Sequence, residues 1–468
     1  MAEVDLAVIG AGLAGCSLIG RLQQLGSDLN IALIEAGRGP GGRTATRRRR
    51  DQSGWLLNHG APGFNLSESM PEGMNPLLKP LRAAGVLQRD ERVVLSLDVE
   101  AGLSPANSPD ACPDGGWWHG VPSMASICEA LLDTAGTAQL SRQFETRVRW
   151  LEHRKDHWLL ENEDRTWSLR AKRLVLSGTL LAHPRSLKML AWDDVPLRTA
   201  VAEGVDDDLD KALSLLQHSQ AEVRWNLMVD LGVLALNAEE LPAQIWLDDA
   251  AKARWKVERL VLQPQSDGRW GLVVHGLDSG EAITPESQGH LLAQEQQRLL
   301  ELLPELLQAL PVVSAALNQA TPLGVMRWGA SRPLNNPLPQ ELQWCPTSAV
   351  GSVATGSQGL ASAEQRERSA AASTWLNSCT LTANLCVRRG VAQFGSRLLW
   401  EQDAAGSNPC LPDATKVSPQ LISLPLPRAV FYSRRRAKTC VKPLTQSFLR
   451  TTFRKPLTAG HTPVSFSH

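Results

Sequence analysis

AEVDLAVIGAGLAGCSLIGRLQQLGSDLNIALIEAG, residues 2–37, decides the fold. Its apolar run at residues 4–9 predicts a strand. Gly10, Gly12 and Gly15 follow in the G-x-G-x-x-G spacing, a helical stretch reaches about Leu25, and a second apolar run at residues 30–34 ends on Glu35. The first glycine permits a tight turn. The second lets backbone approach a pyrophosphate seated on the helix N-terminus, with Leu13 and Ala14 offering the first amides. The third lets helix and strand pack closely. Glu35 lies where an acid accepts from a ribose hydroxyl, with Ala36 beside it. Strand, glycines, helix, strand and acid agree on a dinucleotide-binding Rossmann unit.

The next segment, GRGPGGRTATR at residues 37–47, narrows the cofactor. Two glycines before Arg43 let a loop lie against cofactor phosphates, with a guanidinium as bidentate donor. The segment resembles the GGR-x-x-T-R signature of FAD-dependent amine oxidases and, within them, of renalase-like oxidoreductases. Further matches are NHGAPGF (58–64), GVPSM (120–124), FETRVRWLE (144–152), RLVLSG (173–178) and MRWGASRP (326–333). The resemblance spans about residues 3–350. It implies an α/β fold: a Rossmann-type FAD-binding domain of the glutathione-reductase/amine-oxidase type with a second, mixed-sheet substrate domain. It also implies FAD contacts at Gly42, Arg43, Thr44, Gly60, Ala61 and, on the adenine side, Val148. Asn58 stands where many relatives have Asp.

Past LQWCPTSAVG the resemblance stops. The family closes with C-G-D-W and G-x-G-x-x-x-A-E-G-A, which bring a helix N-terminus to the flavin; this chain reads SVATGSQGLASAEQRERSAA. Codons compatible with residues 351–368, read one base out of step, permit F-C-G-D-W and then A-G-x-G-F-G-G-A-E-G-A. A frameshift near residues 350–352 accounts for this, with a lineage-specific extension as the alternative.

Composition agrees with a break. The whole chain balances 48 Lys+Arg against 48 Asp+Glu. Residues 352–468 hold 15 and 5, a net of +10, leaving 33 and 43, a net of −10, for the first 351. The tail also carries four of the eight cysteines and the only tyrosine, Tyr432, and lacks a sustained apolar period, so disorder is expected there. Its basic SRRRAK (433–438) lacks the aromatic interleaving or zinc spacing of a nucleic-acid binder.

The cofactor domain is expected at 1–80, 140–200 and 318–350, and the substrate domain at 81–139 and 201–317. Strands are expected at residues 92–99, 223–233, 255–264 and 269–276. Residues 290–310 predict an amphipathic helix that Pro304 divides, or a second helix starting at Pro304. Arg48 to Arg50 are expected in a solvated turn. No apolar run is long enough to span a membrane, no secretory signal precedes the first strand, and the cysteines are scattered, so the cytosol is expected. Cys16 is expected to be a small buried residue.

Chemistry is expected to come from the flavin, which accepts a hydride at N5. No catalytic triad, metal cluster or phosphate-transfer motif competes. His59 is the best polar candidate near the flavin, against a backbone-bonded structural histidine. Trp118, Trp225, Trp270 and Trp328 are candidates for an aromatic pocket, Trp328 being the one assigned to catalysis. The leading reading is an FAD-dependent oxidoreductase acting on a small molecule, with amines or dihydropyridine-type nucleotides as the classes the resemblance implies. A non-catalytic FAD-fold binding module, like the Rab escort proteins, and an impaired frameshift product are the alternatives. The residues do not choose an oligomeric state.

Overall fold

The computed structural model describes residues 2–353 apart from 50, 53, 67–74, 114, 135–139, 279, 281–282 and 335–337. The tail and its expected disorder, and all but the first residues of the frameshift segment, lie outside the described residues.

A six-stranded sheet carries the glycine-rich turn that follows Leu6–Ile9. Its order is Leu140–Gln143, Ile31–Ile34, Leu6–Ile9, Leu174–Leu176, Val350–Ser352 and Trp344–Cys345, parallel except for the last strand. Parallel strands covered on both faces should be continuously apolar, and IALI at 31–34 is buried at every position. Helices Leu13–Gln24 and Met124–Asp133 pack on one face through Leu18, Ile19, Leu22, Ile127 and Leu131. Helix Asp207–Gln217 closes the other through Leu209 and Leu213. Asp206 caps that helix, accepting from the amides of Asp208 and Leu209, and also takes both the amide and hydroxyl of Ser348. One carboxylate therefore fixes a helix start and the entry to the last parallel strand.

The expected first strand is broken at Asp5. Ala2–Val4 pairs with Ser168–Ala171 in a separate four-stranded sheet, and only Leu6–Ile9 joins the parallel one. The Asp5 carboxylate accepts from the amide of Asn30 and from Lys172, which pins the switch.

The second side is a seven-stranded sheet in the order Thr321–Pro333, Ala221–Val233, Arg269–Leu277, Val257–Pro264, Gln244–Leu247, Val94–Leu97, Leu103–Pro105. Three expected strands recur here within a few residues; the fourth, 255–264, starts at Val257 because Trp255 ends a helix, Asp249–Trp255. Strand Thr321–Pro333, expected with the cofactor domain, is hydrogen-bonded along Ala221–Val233 instead. Conversely, helix Met124–Asp133, expected with the substrate domain, packs on the glycine-loop helix. Pro304 does not divide its helix, which runs from Pro285 to Leu306. In the last turn the missing N–H costs a single bond, and the next helix begins at Pro311.

This sheet is buried on both faces by residues of different kinds. Trp225, Leu227, Val229, Trp270, Leu272 and Val274 face helix Pro285–Leu306 in one apolar core. The alternate positions, Arg224, Asn226, Met228, Asp230, Val273 and His275, are equally buried but face the other way. That second face carries the site.

Candidate functional site

Two glycine loops interlock at the mouth of the parallel sheet. Gly10, with φ +104°, turns the chain out of its strand; a Cβ there would lie 2.3 Å from the Ser177 hydroxyl. At Gly15 it would lie 2.2 Å from the Gly10 carbonyl oxygen, so helix and turn touch backbone to backbone. Gly12 differs. Its added Cβ would meet nothing nearer than 3.7 Å, and it starts the helix with no side-chain cap. The helix N-terminus thus faces space that the protein leaves open, which fits an anionic group held by helix amides.

The second loop lies across the first. Gly41 donates to the Ala11 carbonyl, and Gly42, with φ +56°, approaches Gly12 closely enough that a Cβ would sit 2.9 Å from its Cα. Thr44 is buried and its hydroxyl donates to Gly41, so its visible role is closing this loop. Glu35 accepts from the amide of Ala11 at 2.8 Å and that of Gly37 at 2.7 Å. Each oxygen keeps acceptor capacity in a fixed position. Ala36 is exposed beside it, and Val148 starts a strand whose buried side chain packs with Ala32 and Ile34. Leu13 and Ala14 are buried in the first helical turn.

The loop then reaches the second sheet. Strand Leu56–Asn58 is held by two glutamines acting as a surrogate strand. Gln265 accepts from the amide of Leu56 and donates to its carbonyl, and Gln263 does both for Asn58. Asn58 Oδ1 accepts from Thr46 and from the amide of Met124. An aspartate would accept the same bonds, so the departure at this position leaves the contacts intact.

His59 follows. Its carbonyl accepts from Asn226 at 2.7 Å and from the Trp328 indole at 3.2 Å, and its ring stacks on Trp328. Burial and the Arg47 charge hold its pKa down at about 4, so the ring is neutral near pH 7. Its Nδ1 is buried without a hydrogen-bond partner among the described residues. Gly60 is required by contact: a Cβ would lie 2.0 Å from the Arg43 carbonyl oxygen. The same carbonyl accepts from the amide of Ala61.

These residues border a cleft lined by Arg43, Gly60, Ala61 and Trp328 from the sequence-expected set. Arg43 donates to the Ser331 carbonyl. Arg224, Asn226, Glu258, Arg259, His275, Ser331 and Arg332 complete the wall and were not expected. Their signal was present: Arg224 and Asn226 stand two apart in an apolar strand, hence on one face. Asn226, His275 and Arg259 are direct neighbours across three strands. Glu258, largely buried, has its pKa held down at about 2 despite burial because Arg224 and Arg259 favour its charge. Of the four tryptophans, only Trp328 lines the cleft. Trp225 and Trp270 are core, and Trp118 lies under the Arg82 guanidinium.

Residues 8–79 match the model of the NAD(P)-binding Rossmann-like domain. Among solved structures, the chain is similar to a putative protoporphyrinogen oxidase from Exiguobacterium sp. 255-15, with 11% identity over 85% of this chain and 99% of that one, at a TM-score of 0.50. It is also similar to cyclohexylamine oxidase from Brevibacterium oxydans IH-35A, with 13% identity over 85% of this chain and 98% of that one, at a TM-score of 0.48. Among curated proteins, none has a sequence that matches this chain. The fold is a Rossmann-like dinucleotide-binding α/β domain joined to mixed sheets.

Among the described residues, no three His, Cys, Asp or Glu side chains cluster as a metal site, and no helix is long and apolar enough to cross a membrane. Cys16 is a buried free thiol, as expected. The arginine run is not simply solvated: Arg48 pairs with Glu129, and Arg49 with Asp51 and the buried Asp230.

The histidines make a stability prediction. Burial lowers the pKa of His59, His119, His153, His183 and His275. Each is ordinary in the unfolded chain, so below about pH 6.5 the unfolded state binds protons that the folded state refuses. Stability should therefore fall as pH drops from 6.5 toward 4. His59 alone accounts for about 1 kcal/mol between pH 7.5 and 5.5. Urea midpoints at the two pH values check this, and His59→Gln should reduce the difference by about 1 kcal/mol.

Proposed function

We propose that the protein is an FAD-dependent oxidoreductase of the renalase-like branch that oxidises a small molecule. The observation that carries this is the open cradle at Gly12, walled by the Gly41–Gly42 backbone and flanked by the fixed Glu35. Helix amides at Leu13 and Ala14 and the Arg43 guanidinium would hold cofactor phosphates, and Glu35 a ribose hydroxyl. When bound, the flavin supplies a two-electron acceptor that takes a hydride from a substrate C–H bond. Trp328 and His59 would wall the substrate side. Neutral His59 would neither repel a cation nor attract an anion there. We place the protein in a reducing cytosol, which the four free thiols among the described residues support. The test is direct: purified protein should be yellow, and anaerobic addition of a reduced substrate should bleach it. A colourless protein that takes up no FAD would sink the reading.

Arg43→Ala should weaken FAD by about 2–5 kcal/mol, the cost of removing one partner of a desolvated charge pair. Titration of apoprotein with FAD measures it; an unchanged Kd would remove Arg43 from the phosphate site.

We also propose that the chain past Ser352 is a frame-shifted replacement of a flavin-closing segment. Val350–Ser352 takes its parallel place beside Leu174–Leu176, and the Val353 amide donates to Leu176. The sheet is thus complete up to the residue where the resemblance ends. Sequencing the gene around codons 345–370 and measuring flavin content in a frame-corrected chain test this. The corrected chain should hold FAD more tightly; equal flavin content in both chains would mark the extension as genuine.

A further inference from the structure

A guanidinium at the carboxyl edge of the parallel sheet has no carboxylate partner among the described residues. Strand Leu174–Leu176 ends beside the glycine turn, where the Ser177 hydroxyl donates to the Gly10 carbonyl at 2.7 Å. Two residues on, the Thr179 hydroxyl accepts from the guanidinium of Arg185, which is partly buried. Gly178 lies between them. It is exposed, and a Cβ there would meet nothing within 4 Å. Like Gly12 past the neighbouring strand, it faces space that the protein leaves open. The backbone of Arg185 is fixed. Its amide donates to His183 Nδ1 at 2.9 Å, so His183 Nε2 carries the ring proton and donates to the Ser219 carbonyl at 2.9 Å. The charge, however, goes unanswered. Burial lowers the pKa of Arg185 and no neighbouring acid raises it. Other arginines of this region differ: Arg149 pairs with Asp194, and Arg198 with Asp210. A guanidinium held partly out of water is costly until an opposite charge arrives, and the Thr179 bond leaves it further donors to offer.

We propose that Arg185, braced by Thr179, is a contact for the cofactor pyrophosphate on the side away from the Gly41–Gly42 loop. The inference rests on the flavin reading for the identity of the anion and on the unanswered guanidinium for its place. Oxidised FAD carries its negative charge on the pyrophosphate alone, and a helix end offers only about half an opposite charge. A guanidinium fork supplies a full one, with two bonds to a phosphate. Ligands of parallel sheets sit outside the carboxyl ends of the strands. Leu6–Ile9, which leads to Gly12, and Leu174–Leu176, which leads to Thr179, are hydrogen-bonded neighbours. Neighbouring strands lie about 5 Å apart, a gap that an arginine side chain spans.

The experiment titrates full-length apoprotein with FAD and melts the same apoprotein in urea. Arg185→Gln should weaken FAD about tenfold or more, as for the loss of one partner of a desolvated charge pair. Binding should also become less sensitive to salt between about 0.1 and 0.5 M NaCl. The urea midpoint of the apoprotein should stay the same or rise, because the variant removes a charge that had no partner. An unchanged Kd for FAD overturns the proposal. So does a weakened Kd accompanied by a lower apoprotein midpoint, since Arg185 would then be pairing within the protein. Failure of the flavin reading has its own signature: wild-type protein that takes up no FAD. Inorganic pyrophosphate, followed by isothermal titration calorimetry, then decides the contact. Pyrophosphate binding that Arg185→Gln weakens keeps the anion contact without the flavin. Pyrophosphate binding that is absent, or indifferent to Arg185→Gln, ends both.

Discussion

Gly12→Val should yield a folded protein with no bound FAD. The backbone at Gly12, φ −74° and ψ 177°, suits any residue, and an added Cβ meets only Gly42 Cα at 3.7 Å. The protein therefore tolerates the side chain, apart from about 1 kcal/mol for a poorer helix cap. What the side chain fills is the space beside the helix amides, where the proposed pyrophosphate must come within hydrogen-bond distance. Gly15→Ala provides the contrast. Its Cβ would sit 2.2 Å from the Gly10 carbonyl, so the glycine turn and helix must separate. Overpacking of this kind costs about 1–3 kcal/mol or more, and flavin loss would accompany a lowered Tm. Flavin absorbance of purified protein and a thermal melt separate the two variants. Stoichiometric flavin in Gly12→Val would remove this loop from the binding site.

The same loop shows what was legible in the sequence. Close approach of backbone to backbone admits only glycine, so Gly10, Gly15, Gly42 and Gly60 announce themselves by identity and spacing. Parallel strands buried on both faces read as apolar runs. The second sheet was legible as strands but not as a site. Its alternation of Trp225, Leu227 and Val229 with Arg224, Asn226 and Met228 resembles a core face backed by solvent. In the folded chain both faces are buried, because Trp55 and Leu57 cover Met228, Val261 and Val273. Gly271 leaves room for Leu57; a Cβ there would lie 2.4 Å from its Cδ1. The partners are more than 170 residues apart, and the bonds that hold them come from Gln263 and Gln265 side chains mimicking a strand. No local pattern encodes such a contact. The strand Thr321–Pro333 was misplaced for the same reason: its motif reads with the cofactor-domain segments, but its hydrogen bonds run along Ala221–Val233.

Asp230→Ala should destabilise the protein by about 3 kcal/mol, toward the range for breaking a buried ion pair by removing one partner. The carboxylate is fully buried and accepts from Arg49 and Arg269, each at 2.6 Å. Its other oxygen accepts from the amide of Gly232, where φ is +80° and the pairing register shifts. Removing it leaves two guanidiniums facing each other and a bulge without its internal bond. Arg49→Ala should cost less, about 1 kcal/mol, because Arg269 still neutralises Asp230. The effect should also reach the cleft. Arg49 lies on the segment joining strands Thr46–Arg48 and Leu56–Asn58, so the anchor sets how the His59 segment meets the second sheet. Urea denaturation of the two variants gives the stability ranking. Fluorescence of Trp328, which lies in the cleft, should change in Asp230→Ala below its unfolding midpoint. If Asp230→Ala costs no more than Arg49→Ala, the carboxylate is a passive counter-ion rather than the anchor that joins the hairpin to the sheet.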